Sequence, residues 1–173
     1  MVDFYRYIAP KLKRTVVFNG DTDPCVSYEG TRTALESITS PTAHRGLGNA
    51  DFIELPGGSY RPWFYNTTVA TDSFMHEKPL LFGPALSFAD AGVLFGGHCV
   101  DYSHNLSFIT VHGSGHMVPQ FRPQAALHML STVLKGGSFA PQLVPDAQLA
   151  AMTDSAFESY LDKWTTSAFA AGA

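Results

Sequence analysis

The sequence predicts an α/β fold, made of the last strands of a mostly parallel sheet with flanking helices. Three observations point there. Two short apolar runs, Val16-Val17-Phe18 and Phe108-Ile109-Thr110-Val111, have the length and β-branched content of buried strands. Each runs directly into a glycine-bearing turn, Asn19-Gly20-Asp21-Thr22-Asp23 after the first and His112-Gly113-Ser114-Gly115-His116 after the second. Each turn is followed by a segment with helical spacing, and strands alternating with helices build parallel sheets.

The elements follow in order. Residues 3–12 predict a short helix with Phe4, Tyr7 and Ile8 on one face and Pro10 near its end. Thr15 to Asn19 is a buried strand, and Gly20 to Pro24 a turn. Ser27 caps a helix that runs to about Ile38. Residues 39–50, rich in Ser, Thr, Gly and Pro, are loop. Asp51 to Leu55 is a candidate strand before the turn Pro56-Gly57-Gly58-Ser59. Residues 66–92 are broken by Pro79, Gly83 and Pro84, yet Phe74, Leu80, Leu81, Phe82, Leu86 and Phe88 are too apolar for a solvated linker. That segment is expected to be an insertion packed on the body or on another chain.

Val93 to Tyr102 and Ser107 to His112 then form a hairpin around Ser103-His104-Asn105. Arg122-Pro123 starts a helix striped with Ala126, Leu127, Leu130, Val133 and Leu134, which Gly136-Gly137 ends. A last helical pattern, from about Asp146 to Ala170, carries Met152, Phe157, Tyr160, Leu161, Trp164 and Ala168. The expected division is 1–140, carrying the 66–92 insertion, and 141–173, a C-terminal helical extension.

Composition narrows the function. A chain of 173 residues supports a sizeable core, and 45% hydrophobic content excludes general disorder. A net charge of −4 with no basic stripe speaks against nucleic acid. No apolar run reaches the ~20 residues of a membrane span. No signal-like segment opens the sequence, so a secretory origin would make this a processed or truncated chain. Two glycosylation sequons, at Asn66 and Asn105, lean towards the secretory route. Cys25 and Cys99 could pair, stay free or bond to another chain. No metal or cofactor is expected.

Chemistry enters with the two turns. A carboxylate just past a buried strand can be desolvated while turn amides hydrogen-bond it, as a catalytic acid requires. Asp23 fits that role better than Asp21, whose alternative task is to brace the turn through backbone amides. His116 sits on a tight turn whose glycines allow close approach, suited to a general base. His112 and His128 fit structural or surface roles. Acid before histidine is the order found in α/β-hydrolases, where a Gly-x-Ser-x-Gly nucleophile comes first. That element is absent ahead of Asp23. The fold class is therefore the C-terminal part of an α/β-hydrolase fold.

Both blocks resemble those of the serine carboxypeptidases, which carry Gly-Asp-x-Asp after one strand and Gly-Ala-Gly-His-Met-Val-Pro after another. Here they read Gly20-Asp21-Thr22-Asp23 and Gly113-Ser114-Gly115-His116-Met117-Val118-Pro119. Arg61-Pro62-Trp63-Phe64 is similar to the family's Trp-x-Pro-Trp region, Gly97 to Tyr102 to its Gly-Tyr-Val-x-x-Tyr strand, and Arg122-Pro123 to its helix start. The resemblance covers roughly residues 3–140.

It implies Asp23 and His116 as triad acid and base, with Met117 lining the leaving-group pocket. Some members carry a pocket cysteine three residues after the acid; here Val26 holds that position and Cys25 stands one earlier. The family's serine, oxyanion-hole glycines and carboxylate-recognising glutamates lie upstream of the segment present. The implied partners are a serine-bearing chain of the same precursor and peptide substrates, with a homodimer as a further expectation. The implied compartment is the lysosome or vacuole, or the extracellular space. Relatives with acyltransferase or lyase chemistry, and a truncated binding protein, are the competing expectations.

Overall fold

The computed structural model describes residues 2–39, 54–67 and 92–173. All but the first residue of the expected loop at 39–50, most of the candidate strand at 51–55 and nearly all of the 66–92 insertion lie outside them. Helix α1 (Val2–Ile8) runs into a 3-10 turn (Ala9–Lys11) and is followed by β1 (Thr15–Gly20) and α2 (Tyr28–Thr39). After β2 (Arg61–Thr67), β3 (Gly92–Tyr102) and β4 (Leu106–Val111) come α3 (Val118–Phe121), α4 (Pro123–Lys135), α5 (Asp146–Ala150) and α6 (Asp154–Ala171).

The four strands form one sheet in the order β1-β4-β3-β2. β1 lies parallel to β4, while the β4–β3 and β3–β2 pairings are antiparallel. The sheet described is thus mixed, not mostly parallel. The short turn joining β3 and β4 admits only an antiparallel pair, and His104 and Asn105 both take positive φ in it. β4 is buried along its whole length, as a central strand covered on both faces should be.

Its side chains alternate between two cores. Leu106 and Phe108 join Val100, Tyr102, Ala9 and Leu35 on the face that α1 and α2 cover. Ile109 and Val111 join Trp63, Tyr65, Met129 and Trp164 on the other. Tyr5 of α1 and Ala9 of the following 3-10 turn dock on this core, leaving Phe4 and Tyr7 exposed, so the face expected from sequence is not the buried one. Ser27 does cap α2, its Oγ accepting from the Gly30 amide at 3.1 Å.

Helix α4 divides its apolar residues between two sides. Ala125, Ala126 and Met129 are buried, whereas Leu127, Leu130 and Leu134 face outward. The last helical pattern is broken at Met152-Thr153 into α5 and α6, and the Thr153 side chain caps α6. Helix α6 lies against β2: Phe169 meets Phe64 edge-on, and the Asn66 amide donates to the Gly172 carbonyl at 2.8 Å. The segment after residue 140 therefore covers an edge strand and contributes Trp164 and Ala168 to the main core.

Strand β2 was not expected. Its buried Arg61 bridges distant segments, donating to the carbonyls of Gly58 at 2.8 Å and Pro141 at 2.9 Å and pairing with Asp101. No helix among the described residues is long and apolar enough to cross a membrane.

Candidate active site

The parallel register places Gly20 beside Val111, so the turns after β1 and β4 leave the same edge of the sheet. That carboxyl edge is where α/β folds assemble their sites. The turns are pressed together. The Asp21 amide donates to the Val111 carbonyl at 3.1 Å, and the Thr22 amide to the Ser114 carbonyl at 3.0 Å. Gly20 makes this approach achievable: a Cβ there would overlap the carbonyl oxygens of Ser114 and Gly115. Gly20→Ala is accordingly expected to cost about 1–3 kcal/mol through forced separation of the turns, read as a lower urea midpoint.

Asp23 and His116 meet across this junction. His116 Nδ1 lies 2.8 Å from Asp23 Oδ2. The other carboxylate oxygen accepts from the amides of Cys25 at 2.8 Å and Val26 at 3.1 Å. Asn19 Nδ2 donates to the Val26 carbonyl at 3.0 Å, closing the acid's turn from below. The two partners differ sharply in access, with side chains 2% exposed for Asp23 and 62% for His116. A buried acid thus holds one ring nitrogen while the far side of the imidazole stays open, the arrangement a general base needs.

Removal from water is the largest influence on the Asp23 carboxyl and pushes its pKa upward. The amides of Cys25 and Val26, the His116 hydrogen bond and the His116 charge together outweigh it, leaving the pKa below the ordinary value. A depressed acid contributes stability that is present above its unfolded pKa and lost as pH falls through its folded one. Urea resistance is therefore expected to weaken below about pH 4, and Asp23→Asn to flatten that weakening. Urea midpoints at neutral and strongly acidic pH check this.

Two of the other expected residues adjoin the pair in sequence. Met117 is exposed beside His116, and Cys25 is exposed and reaches Asp23 through its backbone amide. Cys99 is buried in the core, where burial pushes its thiol pKa up to about 12; both cysteines are free thiols. Asn66 is exposed on β2 and Asn105 in the β3–β4 turn.

A second pairing was not anticipated. His112 Nδ1 stands 2.8 Å from Asp21 Oδ2, and Asp21 Oδ1 accepts from the Gly113 amide at 2.6 Å. Asp21 does bond a backbone amide, but on the opposite turn. Two acids two apart and two histidines four apart were the visible signal. His112 and His116 have a spacing that makes a metal pair on a helix. On this loop each binds its own carboxylate, and no group of three or more metal-ligating side chains occurs among the described residues.

A family profile described as serine carboxypeptidase matches residues 1–136. Serine carboxypeptidase 1 of Hordeum vulgare is 26% identical over 136 residues, covering 79% of this chain and 19% of its own length. Serine carboxypeptidase-like 20 of Arabidopsis thaliana gives the same identity and coverage. Serine carboxypeptidase-like 44 of that plant is 30% identical over 134 residues, covering 73% of this chain and 20% of its own length. The chain thus spans about a fifth of the length of these curated relatives.

Proposed function

The chain belongs to the serine carboxypeptidase family, and on that premise we propose that it supplies the acid and base of a Ser–His–Asp site whose serine lies on a companion portion. The observation that carries this reading is the Asp23–His116 pair, with its buried carboxylate and open imidazole. In the assembled enzyme the companion serine attacks the C-terminal peptide bond as His116 takes the hydroxyl proton at Nε2. Asp23 keeps the Nδ1 proton in place and stabilises the imidazolium. His116 then protonates the leaving amine, and water repeats the sequence on the acyl-enzyme. Donors on the companion stabilise the tetrahedral oxyanion. Met117 borders the leaving-group pocket.

The chain's unfinished surfaces support an obligate companion. Among the described residues β1 pairs only with β4, leaving its other edge open. Beside that edge runs an apolar groove of about 600 Å³ lined by Val16, Phe18, Pro119, Pro123, Ala126 and Leu130. Leu127 and Leu134 extend the apolar face outward. Open strand edges with contiguous apolar surface favour pairing with another chain. The companion adds a strand to β1 and covers this groove. The reading also places the protein in the secretory pathway, in a lysosome, vacuole or extracellular space, with glycans on Asn66 and Asn105.

The test is release of single C-terminal residues from N-blocked dipeptides, at acidic pH, by material captured from its native source through this chain. Free amino acid as the product supports the reading. Transfer of the acyl group to a hydroxyl acceptor without amino-acid release would replace peptidase by acyltransferase chemistry.

A further inference from the structure

The Asp21–His112 pair does something the Asp23–His116 pair does not. Asp23 spends its second oxygen on amides of its own turn, whereas Asp21 reaches across to the Gly113 amide on the histidine-bearing turn. One carboxylate therefore takes two hydrogen bonds from consecutive residues, His112 and Gly113. From the other side, Arg122 at the start of α4 donates Nε to the His112 carbonyl at 2.7 Å. Its guanidinium also lies over Gly113, which sits at φ +62° with no room for a Cβ beneath that group. The His112 ring rests against Phe95 of β3, centroids 5.0 Å apart. Burial pulls the Arg122 pKa down to about 10 against the upward pull of Tyr65 and Asp21, so the side chain remains a cation at neutral pH. The start of the turn is thus gripped between an anion and a cation. His116, four residues on, has one side-chain hydrogen bond of its own and is mostly exposed.

We propose that Asp21, His112 and Arg122 form a brace that positions His116, fixing the second turn against the first so that Nδ1 meets the Asp23 carboxylate. The inference rests on the Asp23–His116 reading of the site and concerns positioning residues only. A hydrogen bond of this length is lost with a displacement of about 1 Å, and misplacement on that scale costs about 10²-fold in rate.

Proton NMR of the chain assembled with its companion tests the brace without substrate. An imidazole Nδ1–H bonded to a carboxylate resonates far downfield, and Asp23→Asn identifies the His116 signal by removing it. Asp21→Ala is expected to abolish that signal while the Trp63 indole N–H signal, from a core bond to Thr110, stays in place. His112→Ala should weaken the signal, and His112→Asn, which keeps a donor towards Asp21, should restore it. This second comparison decides the matter if Asp21→Ala does not fold. A signal unchanged in Asp21→Ala or His112→Ala overturns the brace alone. Loss of the His116 and Trp63 signals together overturns it in favour of a general structural role. An assembly that never shows the downfield signal contradicts the Asp23–His116 bond itself, and the brace with it.

Discussion

His116→Ala in the assembled enzyme is expected to lower kcat by about 10⁶-fold, and Asp23→Asn by about 10⁴-fold, the scale of such losses in other serine hydrolases. The two effects differ because the residues do different work. In the proposed mechanism His116 carries the proton in both half-reactions, so its loss would leave the companion serine without a base. Asn in place of Asp23 keeps the size but presents an amide to Nδ1 and favours the wrong tautomer. The amides of Cys25 and Val26 still find an oxygen at that position, which should preserve the turn. KM should change little in either variant, since neither residue is assigned to substrate recognition. Steady-state kinetics on material whose assembly is quantified by the amount of co-purifying companion separates these losses from incomplete assembly.

Trp63→Ala is expected to destabilise the chain by about 3–5 kcal/mol, a large share of the roughly 5–15 kcal/mol that holds a typical domain together. The indole is fully buried and donates Nε1–H to the Thr110 carbonyl at 3.0 Å. It stacks near His128 and meets Phe139 edge-on, with centroids 5.9 and 6.1 Å away. It also covers Gly96, where any Cβ would run into the ring. Removing it opens a cavity between β3 and α4 and leaves the Thr110 carbonyl without this donor. Trp63→Phe keeps most of the volume and loses the hydrogen bond, so it should cost about 1–2 kcal/mol. Urea denaturation with a constant m-value checks both.

The local signals in the sequence were strong where one cause dominated. β1 and β4 were legible because short β-branched runs end in glycine-bearing turns. The β3–β4 hairpin was legible from its turn chemistry, and α2 from its Ser27 cap. β2 was hidden because Pro62 and a buried arginine interrupt its pattern, although Arg61, Trp63, Tyr65 and Thr67 alternate inward. The two faces of α4 could not be separated, because its leucines and its small core residues are both apolar. Nor did periodicity reveal the break between α5 and α6, since Met152 continues the apolar spacing through it.

At the site, the Asp23–His116 pair could be anticipated from order and turn chemistry. The Asp21–His112 pair could not, because it depends on the register that sets Gly20 beside Val111. The family profile matches residues 1–136, so α6 follows the matched region. Its packing against β2 was visible only in three dimensions.

The central claim is that His116 and Asp23 serve a serine on another portion of the enzyme. The most direct measurement treats native material, captured through this chain, with a serine-reactive fluorophosphonate probe and resolves it with and without reductant. The expected result is a labelled companion that co-purifies with this chain and loses its label when His116→Ala is assembled instead. Capture of an intact assembly with no labelled serine would contradict it, leaving the Asp23–His116 pair without a nucleophile to serve.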